Sequence, residues 1–108
     1  MASDDPTIGP APYRVVYSGL VRQELLALMG RATVAGHGPP ALAALKELDH
    51  RLHIYPQFGE PLRDLHLAGQ VAYAATLPPL FIEYIIDDPH RAVFVIVPLR
   101  AMPHCGFE

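Results

Sequence analysis

Residues 57–102 read QFGEPLRDLHLAGQVAYAATLPPLFIEYIIDDPHRAVFVIVPLRAM, and their pattern decides the fold. A short Gly59-Glu60-Pro61 loop leads into three closely spaced apolar runs. The chain enters through residues 62–67, turns at Ala68-Gly69-Gln70, and continues through 71–77 to Pro78-Pro79. The next run, 80–86, is closed by Asp87-Asp88-Pro89-His90, residue types that favour tight reversals. Residues 91–97 form the last strand. Pro98 has no amide hydrogen to give, so it marks where that strand's ladder ends or becomes an edge. The pattern predicts a three-stranded antiparallel meander. The last two runs, LFIEYII and AVFVIV, are apolar at odd and even positions alike. One face is expected on the helices; the other, with residues such as Phe94 and Ile96, meets water unless a protein partner, a second copy or the C-terminal tail covers it.

Upstream, YRVVYS (13–18) alternates Tyr13, Val15 and Tyr17 with Arg14, Val16 and Ser18, as a strand does. Ser18 then stands where a helix cap belongs. Leu20, Val21, Leu25, Leu28, Met29 and Ala32 recur at three- and four-residue steps, while Arg22, Gln23, Glu24 and Arg31 fall elsewhere on the wheel, which predicts an amphipathic helix. Gly30 weakens its middle by about 1 kcal/mol relative to alanine, and close packing against the next helix is its expected use. Gly36-His37-Gly38 ends this helix, and Pro39-Pro40 suits the first turn of a second. That second helix sets Leu42, Leu45, Leu48 and Leu52 on one face and stops at Pro56. The element order is therefore strand, helix, helix, strand, strand, strand.

Residues 1–12, with three prolines and no apolar period, are expected to form a flexible arm ahead of a single domain spanning 13–108. A chain of 108 residues, 51% hydrophobic and 18% charged, can bury a core without a disulfide or structural metal. The lone Cys105 and the absence of an export signal point to the cytoplasm, and no run is long enough to span a membrane. The net charge is −3, and the basic residues are spread along the chain, whereas a protein held by many phosphates carries a basic patch. Only His50 and His53 have helical i, i+3 spacing, and they lack further ligands of matching geometry, so neither a metal nor a cofactor is expected.

The YRVVYS strand, the helical hairpin ending in LHIYP (52–56), the FGEPLRDL loop (58–65) and the IEYIIDDPHRAVFVI hairpin (82–96) together resemble the RelE/ParE superfamily of small bacterial proteins, best known as toxins of type II toxin–antitoxin modules. Tyr84, Ile86-Asp87, Arg91, Val93 and Val95 are similar to its recurring Y-x-ID-x-x-x-R-x-V-x-V ending. The resemblance covers about residues 13–100. It implies an α+β fold, β-α-α-β-β-β: a twisted antiparallel sheet with a helical hairpin packed on one face and a groove on the other. It also implies a cognate antitoxin as partner and, by branch, either cleavage of messenger RNA on the ribosome or poisoning of DNA gyrase.

Ribosome-dependent cleavage by the RNA's own 2'-hydroxyl needs a general base, a general acid and cations around the scissile phosphate. By position in the family pattern, Arg100 matches the terminal arginine and His104 stands near the terminal His/Tyr pair. Arg63 can reach a phosphate from its loop, and His66 is apt as a base. Arg63, His66, Arg100 and His104 are thus the expected site residues. Tyr73 and Tyr84 supply hydroxyls if they face the groove. Glu83 reads as a solvent-face charge, Arg91 as a solvated one, and Cys105 lacks a neighbour to activate it. The run VAYAATL carries no basic residue where the ribonuclease branch places several. The competing reading is a catalytically inactive interaction module or homodimer on the same scaffold.

Overall fold

A computed structural model describes residues 12–65 and 69–108, the side chains of residues 63–65 excepted. The arm expected over 1–12 lies outside the described residues but for Pro12, as does His66. The elements are β1 (Arg14–Tyr17), α1 (Gly19–Val34), α2 (Gly38–Ile54), a 3-10 turn (Pro56–Phe58), β2 (Glu60–Leu65), β3 (Gln70–Leu77), β4 (Leu80–Asp87), β5 (Ala92–Val95) and β6 (Arg100–Ala101). None of the described helices is long and apolar enough to cross a membrane.

Both helices begin and end where their punctuation residues stand. The Ser18 hydroxyl accepts the Val21 amide at 3.2 Å, capping α1. At the other end Gly36 takes a left-handed φ of +82°, and the amides of Gly36 and His37 return to the carbonyls of Thr33 and Ala32. This closure leaves few orphan carbonyls. Pro39-Pro40 fills the first turn of α2. The expected faces are largely the ones that pack, with single residues at their margins exchanged. Val21, Leu28 and Ala32 bury from α1, and Ala41, Ala44, Leu48 and Leu52 from α2, whereas Leu20 and Leu42 are exposed. Leu25, Met29 and Leu45 pack against the core as well, and in α2 Ala41 and Ala44 widen the buried face beyond the expected leucines because alanines can face the core too. Gly30 is exposed, and a Cβ there would meet nothing within 4 Å; the expected close packing against α2 does not occur.

The fold is α+β in the expected order, with two strands more than that order holds, and the sheet is mixed. Its path is β1-β5-β4-β3-β2, with β6 also beside β4. The meander and β6 pair antiparallel, but β1 runs parallel to β5 in the register Arg14↔Ala92 to Tyr17↔Val95. The expectation of an antiparallel sheet throughout is thus corrected at β1. No tight turn links β1 to β5, since two helices and three strands intervene, so nothing local forces opposite directions. The added strands are β2 and β6. Strand β2 is an edge strand with Pro61, several charges and a register shift between Pro61 and Arg63, features that blunt an edge and hide its strand character from apolar alternation.

Alternate residues of β4, Leu80, Ile82, Tyr84 and Ile86, bury into one cluster with Leu28, Leu48, Leu52, Val93 and Val95. Arg91, expected in solvent, has a left-handed φ of 46° and lays its guanidinium 4.1 Å from the Tyr13 ring centre. Tyr13 in turn donates to Asp88 at 2.6 Å and accepts from Gln57 at 2.9 Å, tying the β4–β5 turn to the start of β1 and the 3-10 turn. The tail folds back, but onto the helical side: Phe107 is buried, its ring centre 5.9 Å from that of His37 in the α1–α2 corner. The Glu108 carboxylate accepts the amides of His104 at 2.7 Å and Gly106 at 2.9 Å. Its own amide, then those two, hold its carboxyl down at about 2.

Two glycines should respond oppositely to alanine. Gly30→Ala raises unfolding stability by about 0.5–1 kcal/mol in a denaturant titration. Gly59→Ala lowers it, because the new Cβ would lie 2.6 Å from both the Ala74 carbonyl oxygen and the Tyr84 hydroxyl. The Glu108 carboxylate has a depressed folded-state pKa. Its stabilisation is therefore complete above the ordinary value of 4.5 and is lost as pH falls through about 2. Wild type should exceed Glu108→Gln in denaturation midpoint at neutral pH, and the gap should close over that window.

Candidate groove on the open sheet face

The residues of β4 that alternate with its buried set, Phe81, Glu83 and Ile85, point away from the helices. Register places Thr76 beside Phe81, Ala74 beside Glu83, and Ala72 beside Ile85, with Phe94 next to Ile85 and Val16 next to Phe94. The middle of this face is apolar. A hollow of about 230 Å³ opens there between Leu62, Ala72, Ile85, Ile96 and Val97, and Leu62 and Ile96 are each more than half exposed, at 53% and 54%. The tail does not cover this hollow, since its buried anchor sits on the opposite, helical side.

Two further cavities meet at the Thr76–Phe81 pair. One, of about 380 Å³, is a notch where β2 stops: Glu60 is the first residue of β2 and pairs with Ala74, so β3 runs on past it. Arg51, Phe58, Glu60, Ala74, Thr76 and Phe81 are among its lining residues. The other, of about 350 Å³, lies between Phe81, Thr76, Arg100 and residues 101–103. An arginine stands over a phenylalanine in each. The Arg51 guanidinium lies 5.4 Å from the Phe58 ring centre and that of Arg100 lies 4.9 Å from Phe81, the arrangement in which a ring face attracts a cation. Each arginine also has a carboxylate neighbour, Glu47 at 2.8 Å for Arg51 and Glu83 at 3.7 Å for Arg100. Both pairs are substantially exposed, and such pairs contribute about 0–1 kcal/mol.

Phe58 is held by stacking, at 6.1 Å on Tyr84, which stacks at 5.8 Å on Tyr73. The Tyr84 hydroxyl donates to the Pro56 carbonyl at 2.6 Å, and burial pushes its phenol well above the ordinary range. It therefore stays a neutral donor fixing the exit of α2. Tyr84 and its register partner Tyr73 pack toward the core while also bordering the 230 Å³ hollow, and the Tyr84 hydroxyl, spent on Pro56, is not offered to the groove.

Of the four residues expected to form a site, the structure sets Arg100 on the groove. Arg63 lies in β2 with its backbone opposite Ala72; its side chain, like all of His66, is outside the described residues. His104 sits in the C-terminal hook with φ +66°, is exposed, and lines none of the three cavities above. Glu83, read as a strand charge on the solvent face, is there and paired with Arg100. Arg51 was not foreseen. It follows Glu47 by four residues on the polar side of α2, the pattern of an ordinary helix-surface ion pair, and only the 3-10 turn brings Phe58 beneath it.

No protein-family model matches the chain, and no curated protein matches it. Among solved structures, the crystal structure of the toxin–antitoxin complex RelBE2 from Mycobacterium tuberculosis is similar: 26% of residues are identical, the TM-score is 0.58, and the alignment covers 86% of this chain and 94% of that one. The chain has a RelE-like toxin fold.

Proposed function

We propose that this chain is the toxin-like component of a type II toxin–antitoxin system, acting by binding a macromolecular target and kept silent by an antitoxin. The observation that carries this reading is the likeness to a chain of a toxin–antitoxin complex along nearly its whole length. The open sheet face supports it. An exposed apolar hollow flanked by ion pairs is suited to a protein that covers it, since monomeric proteins rarely leave contiguous apolar surface bare. In this reading Arg63 and Arg100 hold phosphate and His66 or His104 moves the proton, with messenger RNA on the ribosome as the target; DNA gyrase is the target if no RNA is cut. The acidic balance of the chain and the run VAYAATL, which carries no basic residue, favour binding over rapid cleavage. The pairing of both groove arginines with carboxylates gives the inert interaction module its support.

Induced expression in a bacterial host should arrest growth, and co-expression of a cognate antitoxin should relieve the arrest. Uninterrupted growth would establish the non-toxic module instead. Assays of RNA cleavage and gyrase supercoiling in the arrested cells identify the target. Arg63→Ala and Arg100→Ala should each weaken arrest; if both leave arrest and RNA cleavage intact, the site assignment is wrong. Ile96→Asp, on the exposed face, should shift unfolding stability by no more than about 0.5 kcal/mol, yet prevent co-purification with the antitoxin. Chromatographic sizing of the chain alone distinguishes a homodimer across the same face.

A further inference from the structure

We infer that the outward face of α1 is a self-association surface, on which a second copy of this chain lays its own α1 antiparallel about a two-fold axis at Gly30. The helices cover the other side of the sheet, so the groove stays open in such a dimer.

Helix α1 is apolar almost all round. Its inward side buries Val21, Leu28 and Ala32, yet its outward side carries Leu26, Ala27, Gly30 and Val34, all exposed. A helix of that kind is normally covered on both sides. Leu26 and Val34, at 76% and 90%, are the two most exposed large hydrophobics among the described residues, and they stand one turn either side of Gly30 in a single i, i+4 row. Apolar side chains scattered singly over a surface need no partner, but two on one row make a patch. Gly30 itself weakens the helix, and a Cβ there would meet nothing within 4 Å, so no contact inside the chain accounts for it. The missing side chain lets another helix approach closely. Beside it a hollow of about 470 Å³ opens between Gly30, Val34, Ala35 and the C-terminal hook, residues 106–108, and gives an incoming side chain room.

The row fits a copy of itself. A two-fold contact requires a patch that complements itself, residue i meeting j and j meeting i. Leu26 and Val34 lie equally far before and after Gly30, so an axis at Gly30 sets Leu26 of each copy against Val34 of the other. The charged residues of α1, Arg22, Glu24 and Arg31, stand at the end of the row or off it, and like charges therefore do not meet at its centre. A single pair of crossed helices covers less than the about 800 Å² per partner of a standard interface. The dimer is accordingly weak and depends on concentration.

The test is analytical ultracentrifugation of the full chain from low to high micromolar concentration. Wild type should pass from monomer to dimer across that range. Leu26→Asp and Val34→Asp should each weaken association about tenfold or more through the lost burial, whereas Ile96→Asp, on the open sheet face, should associate as wild type does. Gly30→Leu should raise the unfolding midpoint at concentrations where the chain is monomeric, because leucine is the better helix former, and should at the same time weaken association; damage to the fold would lower both. In a Cys105→Ser background, mild oxidation of mixed Leu26→Cys and Val34→Cys chains should yield a cross-link that neither chain gives alone. A chain that stays monomeric throughout overturns the proposal, as do dimers that Ile96→Asp dissociates and Leu26→Asp does not. If the monomeric chain instead loses its antitoxin on Leu26→Asp, the face belongs to the antitoxin and the second copy is excluded. Dimers without a cross-link gained on mixing overturn the axis at Gly30. None of these outcomes touches the toxin reading, which growth arrest and its relief by antitoxin decide separately.

Discussion

The hydrogen bond from the buried Tyr84 hydroxyl to the Pro56 carbonyl joins the middle of the sheet to the end of the helical layer. A phenol at 2% exposure without a partner would cost about 1–3 kcal/mol, so the carbonyl must come to it. Pro56 can present that carbonyl only if α2 stops at residue 54 and the chain tightens into a 3-10 turn. That turn sets Phe58 flat against Tyr84 and carries Gly59 so close to the sheet that no side chain fits there. The position of Phe58 then decides where the Arg51 guanidinium rests. A single satisfied hydroxyl in the core thus fixes one wall of the groove.

Strand β4 extends the same logic outward. Its inward set, Leu80, Ile82, Tyr84 and Ile86, fills the core, and each aliphatic member contributes about 1.5–3 kcal/mol by burial. Its outward set, Phe81, Glu83 and Ile85, has no helical layer over it. Strand β5 flanks one end of β4, and β6 the other after residues 96–99 leave the ladder. The detour past Pro98 raises Ile96 and Val97 into the apolar hollow and then brings Arg100 back opposite Phe81. The groove's cation and its apolar part therefore have one origin, the interruption of a strand at a proline.

Much of this was legible in the sequence because it depends on local chemistry. Ser18, Gly36, Pro39-Pro40 and Pro56 mark helix ends through backbone requirements that no distant contact alters. The apolar runs of β3, β4 and β5 are too dense to be anything but core strands. What escaped depends on distance along the chain. The parallel partnership of β1 with β5 joins residues 14–17 to 92–95, and direction in such a pair is set by the path between them. Strand β2 carries Pro61 and three charged residues, Glu60, Arg63 and Asp64, and owes its conformation to the free edge of β3. Gly30 looked like a contact point because glycine in a helix often is one, yet solvent is what it meets. Arg100 could be placed from its position after the last strand. Arg51 could not, since nothing in EL-DH-RL spacing tells a solvated ion pair from one that roofs a cavity.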